Sequence, residues 1–403
     1  PLVENLEQEL AEKLYFGERD SIYVSAGRLE TYSSCPFRHF IQRGLGADEP
    51  AYFGIDAGTK GDVYHAALQE LSKELMPSDG SSVTSSGSAW MTISEEDCRR
   101  RVEEIIRRET AEYNEGVYVS DRASELQLER IVETCGDIAW AMIAQVRGSR
   151  IRDMYFEEAF GFDGEYLKPV TIELDNGKKA RLRGRIDRID LLDAGYDEKG
   201  NPQQAVRIID YKTGSIEINR EYIESGYKPQ LMLYMNAVVE ADSELIPAGV
   251  FYFKIGELDV NADSAGTPEE KGVTVADRVA ESCRLEGVLI KEENILKAMD
   301  GAFEPMAAKL SIPVYQKKDG DISAKGSSEL LSSGEFEELR AKAGEQVERI
   351  CREIRQGRID IAPKMEKGKS DLKGGHRTAC SYCDYKSICL FDTGFRQCRY
   401  EVI

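Results

Sequence analysis

Two short stretches limit most sharply what this chain can fold into: Gly184-Arg185-Ile186-Asp187-Arg188-Ile189-Asp190 and, further on, Ile208-Ile209-Asp210-Tyr211-Lys212-Thr213-Gly214. Each sets charge among β-branched residues. Leu182, Ile186 and Ile189 weight the first toward a buried strand, and Val206, Ile208 and Ile209 lead into Asp210 and Lys212 in the second. Side chains two apart on a strand share a face, so Asp210 and Lys212 point the same way, with Tyr211 opposite. An acid and an amine side by side at the end of a buried strand are costly unless chemistry or a metal uses them. With Asp187 from the neighbouring strand, two carboxylates and one ammonium converge, the minimum for holding Mg²⁺ and steering a water at a phosphodiester. The competing reading is an exposed hairpin with Asp187, Arg188, Asp210 and Lys212 in surface ion pairs, since Asp-X-Lys alone is common.

The flanking periodicity gives these strands a setting. The chain has 403 residues, 41% of them hydrophobic, enough for one large domain or two medium ones. A helical lead-in is expected in residues 1–20, with Leu6, Leu10 and Leu14 at helical spacing. Ser25 is placed to cap a short helix that ends near Cys35, and Pro36 to begin the next. A helix opens at Gly58 with Val63, Ala66, Ala67 and Leu71 as its stripe. Pro77 to Ala89 reads as a mobile Ser/Gly-rich loop. Long helices follow over Ser94–Tyr113 and Asp121–Arg147, the second with an apolar face from Leu126 to Ala139. Then the period becomes two: Tyr155–Phe162, Val170–Leu174 and Ala180–Leu191 read as an antiparallel meander with a hairpin turn at Asp175-Asn176-Gly177-Lys178. Gln204–Tyr211 is the next strand, Tyr227–Met235 begins an apolar helix, and Ala248–Ile255 is a buried strand. Glu257–Lys271 and Lys317–Gly334 read as loop-like insertions, and Gly334–Gly357 as a helix.

The trio Asp187, Asp210 and Lys212 resembles the PD-(D/E)XK nuclease superfamily, and the wording Gly-Arg-Ile-Asp-Arg-Ile-Asp with Asp-Tyr-Lys-Thr-Gly is similar to its RecB-type branch. The resemblance implies an α/β, restriction-endonuclease-like core, a mixed sheet flanked by helices, whose order helix, three strands, helix, strand agrees with the pattern above. Asp187 and Asp210 are the expected Mg²⁺ ligands, with the Tyr211 carbonyl completing the set. Lys212 would orient or deprotonate the water and offset charge in the transition state. His65, in Gly61-Asp62-Val63-Tyr64-His65-Ala66-Ala67-Leu68, resembles the RecB-type motif in which a helical histidine joins the metal shell; imidazole there favours Mn²⁺ over Mg²⁺. A helical histidine is otherwise a core or surface residue. Gln230 and Tyr234 share a helical face and match the Gln-X-X-X-Tyr signature of the branch, which assigns them to DNA or to orienting the site; a plain surface pair fits the spacing equally well. Glu157 is a weaker candidate, ligand or merely structural.

Nine cysteines without a secretion signal point away from disulfides and toward metal. Cys380, Cys383 and Cys389 form a C-X2-C-X5-C knuckle, one ligand short of a four-coordinate site, and Cys35 in Ser34-Cys35-Pro36-Phe37 is the expected fourth. One cysteine before a nuclease core and three after it resemble the iron-staple nucleases, which include AddB-type helicase-nuclease subunits and the Cas4 proteins. That resemblance implies a [4Fe-4S] cluster joining the N- and C-terminal parts; structural zinc is the rival, since four thiolates suit both. Cys98, Cys135, Cys283 and Cys351 read as small core residues, and Cys398 as a spare thiol or competing ligand.

The entry Arg28–Phe37 and the exit Cys380–Asp392 are most similar to the AddB-type nuclease domain, over about residues 24–392. The expected layout is a lead-in over 1–20 and a nuclease domain over 21–403, divided into a helical part (21–150), a catalytic core (151–256), a helical and loop insertion (257–356) and the cysteine-rich staple (357–403). The opening Pro1-Leu2-Val3 suggests a piece of a longer protein. The resemblance implies an AddA-type helicase-nuclease partner, single-stranded DNA ends as substrate in break resection, and exonuclease action in the cytoplasm. A stand-alone Cas4-like exonuclease and a non-catalytic DNA-end-binding module are the alternatives; Cas4-type enzymes are generally shorter and lack the long helical insertion. The net charge of −20 argues against general affinity for nucleic acid. Arg99-Arg100-Arg101, Arg107-Arg108 and Arg147, Arg150, Arg152 are candidate basic patches, each more simply a solvated helix face. No run of eighteen apolar residues crosses a membrane.

Overall fold

Helix N-caps punctuate the first third of the chain. The computed structural model describes residues 5–47, 54–162, 167–214, 217–256, 274–307, 310–367, 378–381 and 383–403. Helix α1 (Gln8–Tyr15) and strand β1 (Ser21–Val24) lead to α2 (Ala26–Ser34), whose cap Ser25 accepts from the Arg28 N–H, and to α3 (Pro36–His39), opened by its proline. Asp56 caps α4 (Ala57–Leu75), Ser88 caps α5 (Ala89–Thr92), Ser94 caps α6 (Glu95–Thr110) and Asp121 caps α7 (Arg122–Arg147). Each cap oxygen takes a backbone N–H that the helix start leaves unpaired.

Strands then dominate: β2 (Ile151–Phe160), β3 (Thr171–Glu173), β4 (Lys179–Leu182), β5 (Gly184–Tyr196) and β6 (Pro202–Lys212). After α8 (Arg220–Glu224) and α9 (Gln230–Ala241) come β7 (Ile246–Lys254), α10 (Val275–Ser282), β8 (Glu286–Ile290) and α11 (Glu293–Met299). The rest is β9 (Val314–Gln316), β10 (Ile322–Ala324), β11 (Glu329–Leu331), α12 (Ser333–Arg355), β12 (Lys364–Met365), α13 (Lys386–Cys389) and β13 (Glu401–Val402).

The central sheet has six strands in the order β11-β8-β7-β6-β5-β2. Strands β2, β5 and β6 run antiparallel, β6 and β7 parallel. Parallel neighbours need a crossover, and α8 and α9 provide it. One face of the β5–β6 pair meets α9 and the other meets α7, where the Tyr211 hydroxyl donates to the Met142 sulfur. The β7–β8 pair is close-packed: a Cβ on Gly287 would lie 2.0 Å from the Val250 carbonyl oxygen. Mixed sheet, flanking helices and strand order agree with the α/β fold expected. No helix among the described residues is long and apolar enough to cross a membrane.

Four local expectations need correction. The meander is divided between two sheets: β3 and β4 pair with β1 in a separate three-stranded sheet, and of the meander only β2 and β5 lie in the central one. The β3–β4 turn is where expected, with Asn176 at φ 59° and Gly177 at φ 72°. The Pro77–Ala89 segment is fastened rather than mobile: Ser82 and Thr84 donate to the Ile151 carbonyl, the Val83 N–H reaches Arg152, and Val83 is fully buried. Lys317–Gly334 holds β10 and β11 rather than loop alone. Leu10 and Leu126, placed on apolar stripes, are 52% and 46% exposed. Glu257–Lys271 lies outside the described residues.

Candidate metal centre

Three strands and one helix bring the acids together. Asp187, near the start of β5, accepts the Tyr211 backbone N–H at 2.7 Å through Oδ2, which lies 3.7 Å from His65 Nδ1. A strand residue turns its N–H and C=O to the same neighbour, so the Tyr211 carbonyl also faces β5. Glu157 on β2 places Oε1 3.8 Å from His65 Nδ1 and Oε2 3.7 Å from Arg185. Its φ of 53° is unusual for a strand. His65, on α4, completes a group whose ligand atoms all lie within 4.8 Å of one another: His65, Glu157 and Asp187. Opposite ligands of an octahedral ion with bonds of about 2.1 Å sit about 4.2 Å apart, so a small divalent cation fits with little adjustment.

Asp210 stands beside this group and is tied to the amine. Its Oδ2 lies 2.5 Å from Lys212 Nζ, and its Oδ1 accepts from Gln230 Nε2 at 2.9 Å. Lys212 donates to Gln230 Oε1 at 3.2 Å, and Gln230 Nε2 also donates to the Tyr234 hydroxyl at 3.0 Å. The shared phase of Asp210 and Lys212, and of Gln230 and Tyr234, is therefore real, and Gln230 joins the two pairs. Sequence reasoning set Glu157 below Asp210 as a ligand; by geometry Glu157 is in the convergent trio and Asp210 next to it.

The electrostatics are those of a crowded acidic site. Burial, then the Asp210 charge, pushes the Asp187 carboxyl up to about 7, with His65 pulling the other way. Burial also raises Asp210, against the pull of Lys212. For His65 burial favours the neutral ring, but Glu157, Asp187 and Asp210 outweigh it and raise the imidazole. Burial disfavours the Lys212 ammonium, yet Asp210 outweighs burial and raises it. Carboxylates crowded in this way could hold a divalent cation.

Cys35, Cys380, Cys383 and Cys389 line one small pocket with Phe37, Tyr385 and Phe391. Burial pushes the Cys380 thiol up to about 12, and Cys35, Cys383 and Cys389 add to the rise. Cys398 is not part of that lining. Cys98, Cys135, Cys283 and Cys351 are buried in the core. The arginine runs of α6 are spent on acids: Arg99 on Glu95 and Asp137, Arg100 on Asp97 and Glu104, Arg101 on Glu74, Arg107 on Glu103, and Arg108 on Glu70 and Glu109. Arg147 donates to the Trp90 and Ile93 carbonyls. A cleft of about 720 Å³ lined by Arg147, Arg150, Arg152 and Tyr196 opens at the far end of β5, away from the acids.

The chain is similar to several known proteins. The B-type subunit of an ATP-dependent helicase/deoxyribonuclease from Clostridium perfringens is 29% identical over 407 residues, covering 100% of this chain and 33% of that protein. Its counterpart in Thermoanaerobacter sp. is 31% identical over 389 residues, covering 96% and 31%. That of Alkaliphilus oremlandii is 30% identical over 402 residues, covering 96% and 32%. The chain thus spans about a third of the length of the curated relatives it matches. The family model of the PD-(D/E)XK nucleases matches residues 23–390, from β1 through the cysteine knuckle, and this chain accordingly belongs to the PD-(D/E)XK nuclease superfamily.

Proposed function

We propose that this chain is a divalent-metal-dependent deoxyribonuclease domain, acting on single-stranded DNA ends as part of a helicase-nuclease subunit. The observation that carries the reading is the convergence of His65, Glu157 and Asp187 next to the Asp210–Lys212 pair. The first three would hold Mg²⁺ or Mn²⁺, joined by Asp210 and the Tyr211 carbonyl. The cation would supply an acidified water and charge stabilisation at the phosphoryl oxygens. Lys212 holds the attacking water by its ammonium and offsets the negative charge that builds on the phosphorus oxygens. Gln230 fixes Asp210 and Lys212 relative to each other, and Tyr234 fixes Gln230. A non-catalytic end-binding module has no use for this intact set of contacts.

Cys35, Cys380, Cys383 and Cys389 are assigned to a [4Fe-4S] cluster. The four thiols line one pocket, and four thiolates suit such a cluster as well as zinc. The names of the relatives support a partner subunit of the AddA helicase-nuclease type, and nine free cysteines suit the reducing cytoplasm. The test is degradation of a single-stranded oligonucleotide with Mg²⁺ or Mn²⁺, wild type against Asp210→Ala, together with anaerobic metal analysis. Metal-dependent cleavage lost in the variant, and a brown protein holding iron and sulfide, are expected. Cleavage unaffected by the substitution sinks the nuclease assignment, and stoichiometric zinc in a colourless protein sinks the cluster.

A further inference from the structure

Arg183 sits in the seam where the small sheet meets the central one, between the end of β4 and the start of β5. Its side chain is exposed, and among the described residues no acid pairs with it, unlike the arginines of α6. Two aromatic rings hold it instead. The guanidinium carbon lies 4.8 Å from the centre of the Tyr23 ring, on β1, and 5.6 Å from that of Phe162, just past β2. The backbone builds this cluster. The Arg183 N–H donates to the Val24 carbonyl, which draws the seam onto the end of β1. Gly161 turns the chain after β2 at φ 84°, so tightly that a Cβ there would lie 2.4 Å from the Leu182 carbonyl oxygen. That turn delivers Phe162 to Arg183, and Phe162 stays 45% exposed.

An exposed phenylalanine by itself is ordinary. This one stands with an uncompensated cation beside the acidic centre. Gly184, the residue after Arg183, pairs with Phe160 across β5 and β2, and a Cβ on it would lie 3.3 Å from a carbon of the Tyr234 ring. Phe160 meets that ring edge-on at 5.7 Å. Asp187 lies about 13 Å further along β5 from Arg183. The chain carries a net charge of −20, and the metal site concentrates carboxylates, so a polyanion approaching it needs a local cation. A guanidinium matches a phosphate, and an exposed ring offers a face to a base. A base reaches such a ring only once it has left the duplex stack, so the pair suits a single strand.

We propose that Phe162 and Arg183, backed by Tyr23, form a stacking platform for a single strand beside the metal centre: Phe162 takes a base and Arg183 the adjoining phosphate. This rests on the nuclease reading above. The experiment measures binding by fluorescence anisotropy on the complete chain, without metal so that no strand is cut. The probes are a single-stranded oligonucleotide and a fully abasic strand of the same length, which keeps every phosphate and loses every base. Wild type is compared with Phe162→Ala, Phe162→Tyr and Arg183→Gln. The wild type should hold the base-bearing strand more tightly than the abasic one. Phe162→Ala should weaken the base-bearing strand roughly 10-fold and leave the abasic strand unchanged, while Phe162→Tyr keeps the wild-type preference. Arg183→Gln should weaken both strands alike and reduce the slope of log affinity against log salt by about 0.7, the share of one phosphate on a single strand. In Mn²⁺-supported cleavage, Phe162→Ala should raise KM and keep kcat. Equal binding of the two strands by the wild type overturns the proposal, and that comparison needs no variant to fold. Equal losses on both strands in Phe162→Ala overturn it too, because they assign the ring to packing. Asp210→Ala separates the two readings: if it still cleaves, the nuclease assignment fails; if it is inactive while Phe162→Ala binds the base-bearing strand as wild type does, only the platform fails.

Discussion

The two faces of the β5–β6 pair carry the same kinds of charge and settle them in opposite ways. Toward α7, Asp190 accepts from Arg188 at 2.6 and 2.8 Å and from Arg207 at 2.7 Å, and all three side chains are fully buried. Burial works against the Asp190 carboxylate, yet the two guanidiniums outweigh it and hold it below the usual range. Toward α9, Asp187, Asp210 and Glu157 are set against Lys212, His65 and the exposed Arg185, and Asp187 is pushed up to about 7. A charge satisfied within the protein is structural. A crowded set of acids that is not fully neutralised is a candidate site for a cation.

The largest effect that would break this contrast lies on the α7 side. Asp190→Ala leaves two buried guanidiniums without their acid, and should cost about 3–5 kcal/mol in urea unfolding. Asp187→Asn, only one turn of the pleat away, should leave metal-free stability intact or raise it. Equal losses in the two variants would erase the distinction between the faces.

Next comes the pH dependence. The folded Asp187 carboxyl titrates at about 7, above the roughly 3.9 of an unfolded aspartate. Its contribution to stability is therefore full below about pH 4 and is lost as pH rises through about 7. His65, also raised, has the same sign: its contribution is present below about pH 6.5 and lost as pH rises through its folded value. The metal-free melting temperature should thus fall between pH 5 and pH 8, less steeply in Asp187→Asn. Added Mn²⁺ should raise it more at pH 8 than at pH 6; a pH-independent metal effect would count against an under-neutralised site. The smallest effect expected is that of Glu157→Gln, about a tenfold rise in the Mn²⁺ half-saturation for cleavage, with little change in rate at saturation. An unchanged metal curve would remove Glu157 from the ligand set.

What could be read in advance was local. The phase of Asp210 with Lys212 and of Gln230 with Tyr234 follows from two periodicities and holds. The cap at Ser25 was equally legible, because the acceptor oxygen sits next to the helix it serves; Ser94 and Asp121, read only as helix starts, prove to be caps as well. Glu157 was undervalued because alternation assumes regular strand dihedrals, and its φ of 53° departs from them. Pro77–Ala89 was misjudged because its acceptors, the Ile151 and Arg152 carbonyls, lie on a distant strand. The split of the meander depended on β1, whose parallel pairing with β4 leaves no short-range trace.

The ammonium of Lys364 on the hydroxyl of Ser33 spans 331 residues of chain, and the Gly357 carbonyl likewise receives the Leu6 N–H. On a ribosome adding about 5–20 residues per second, the segment that carries Ser33 and Cys35 emerges some tens of seconds before its seat has been made. During that interval the Ser33–Lys364 and Leu6–Gly357 contacts cannot form, although α4 already has α6 and α7 to pack against. Protection of the nascent polypeptide thus becomes a demand that this architecture places on the cell.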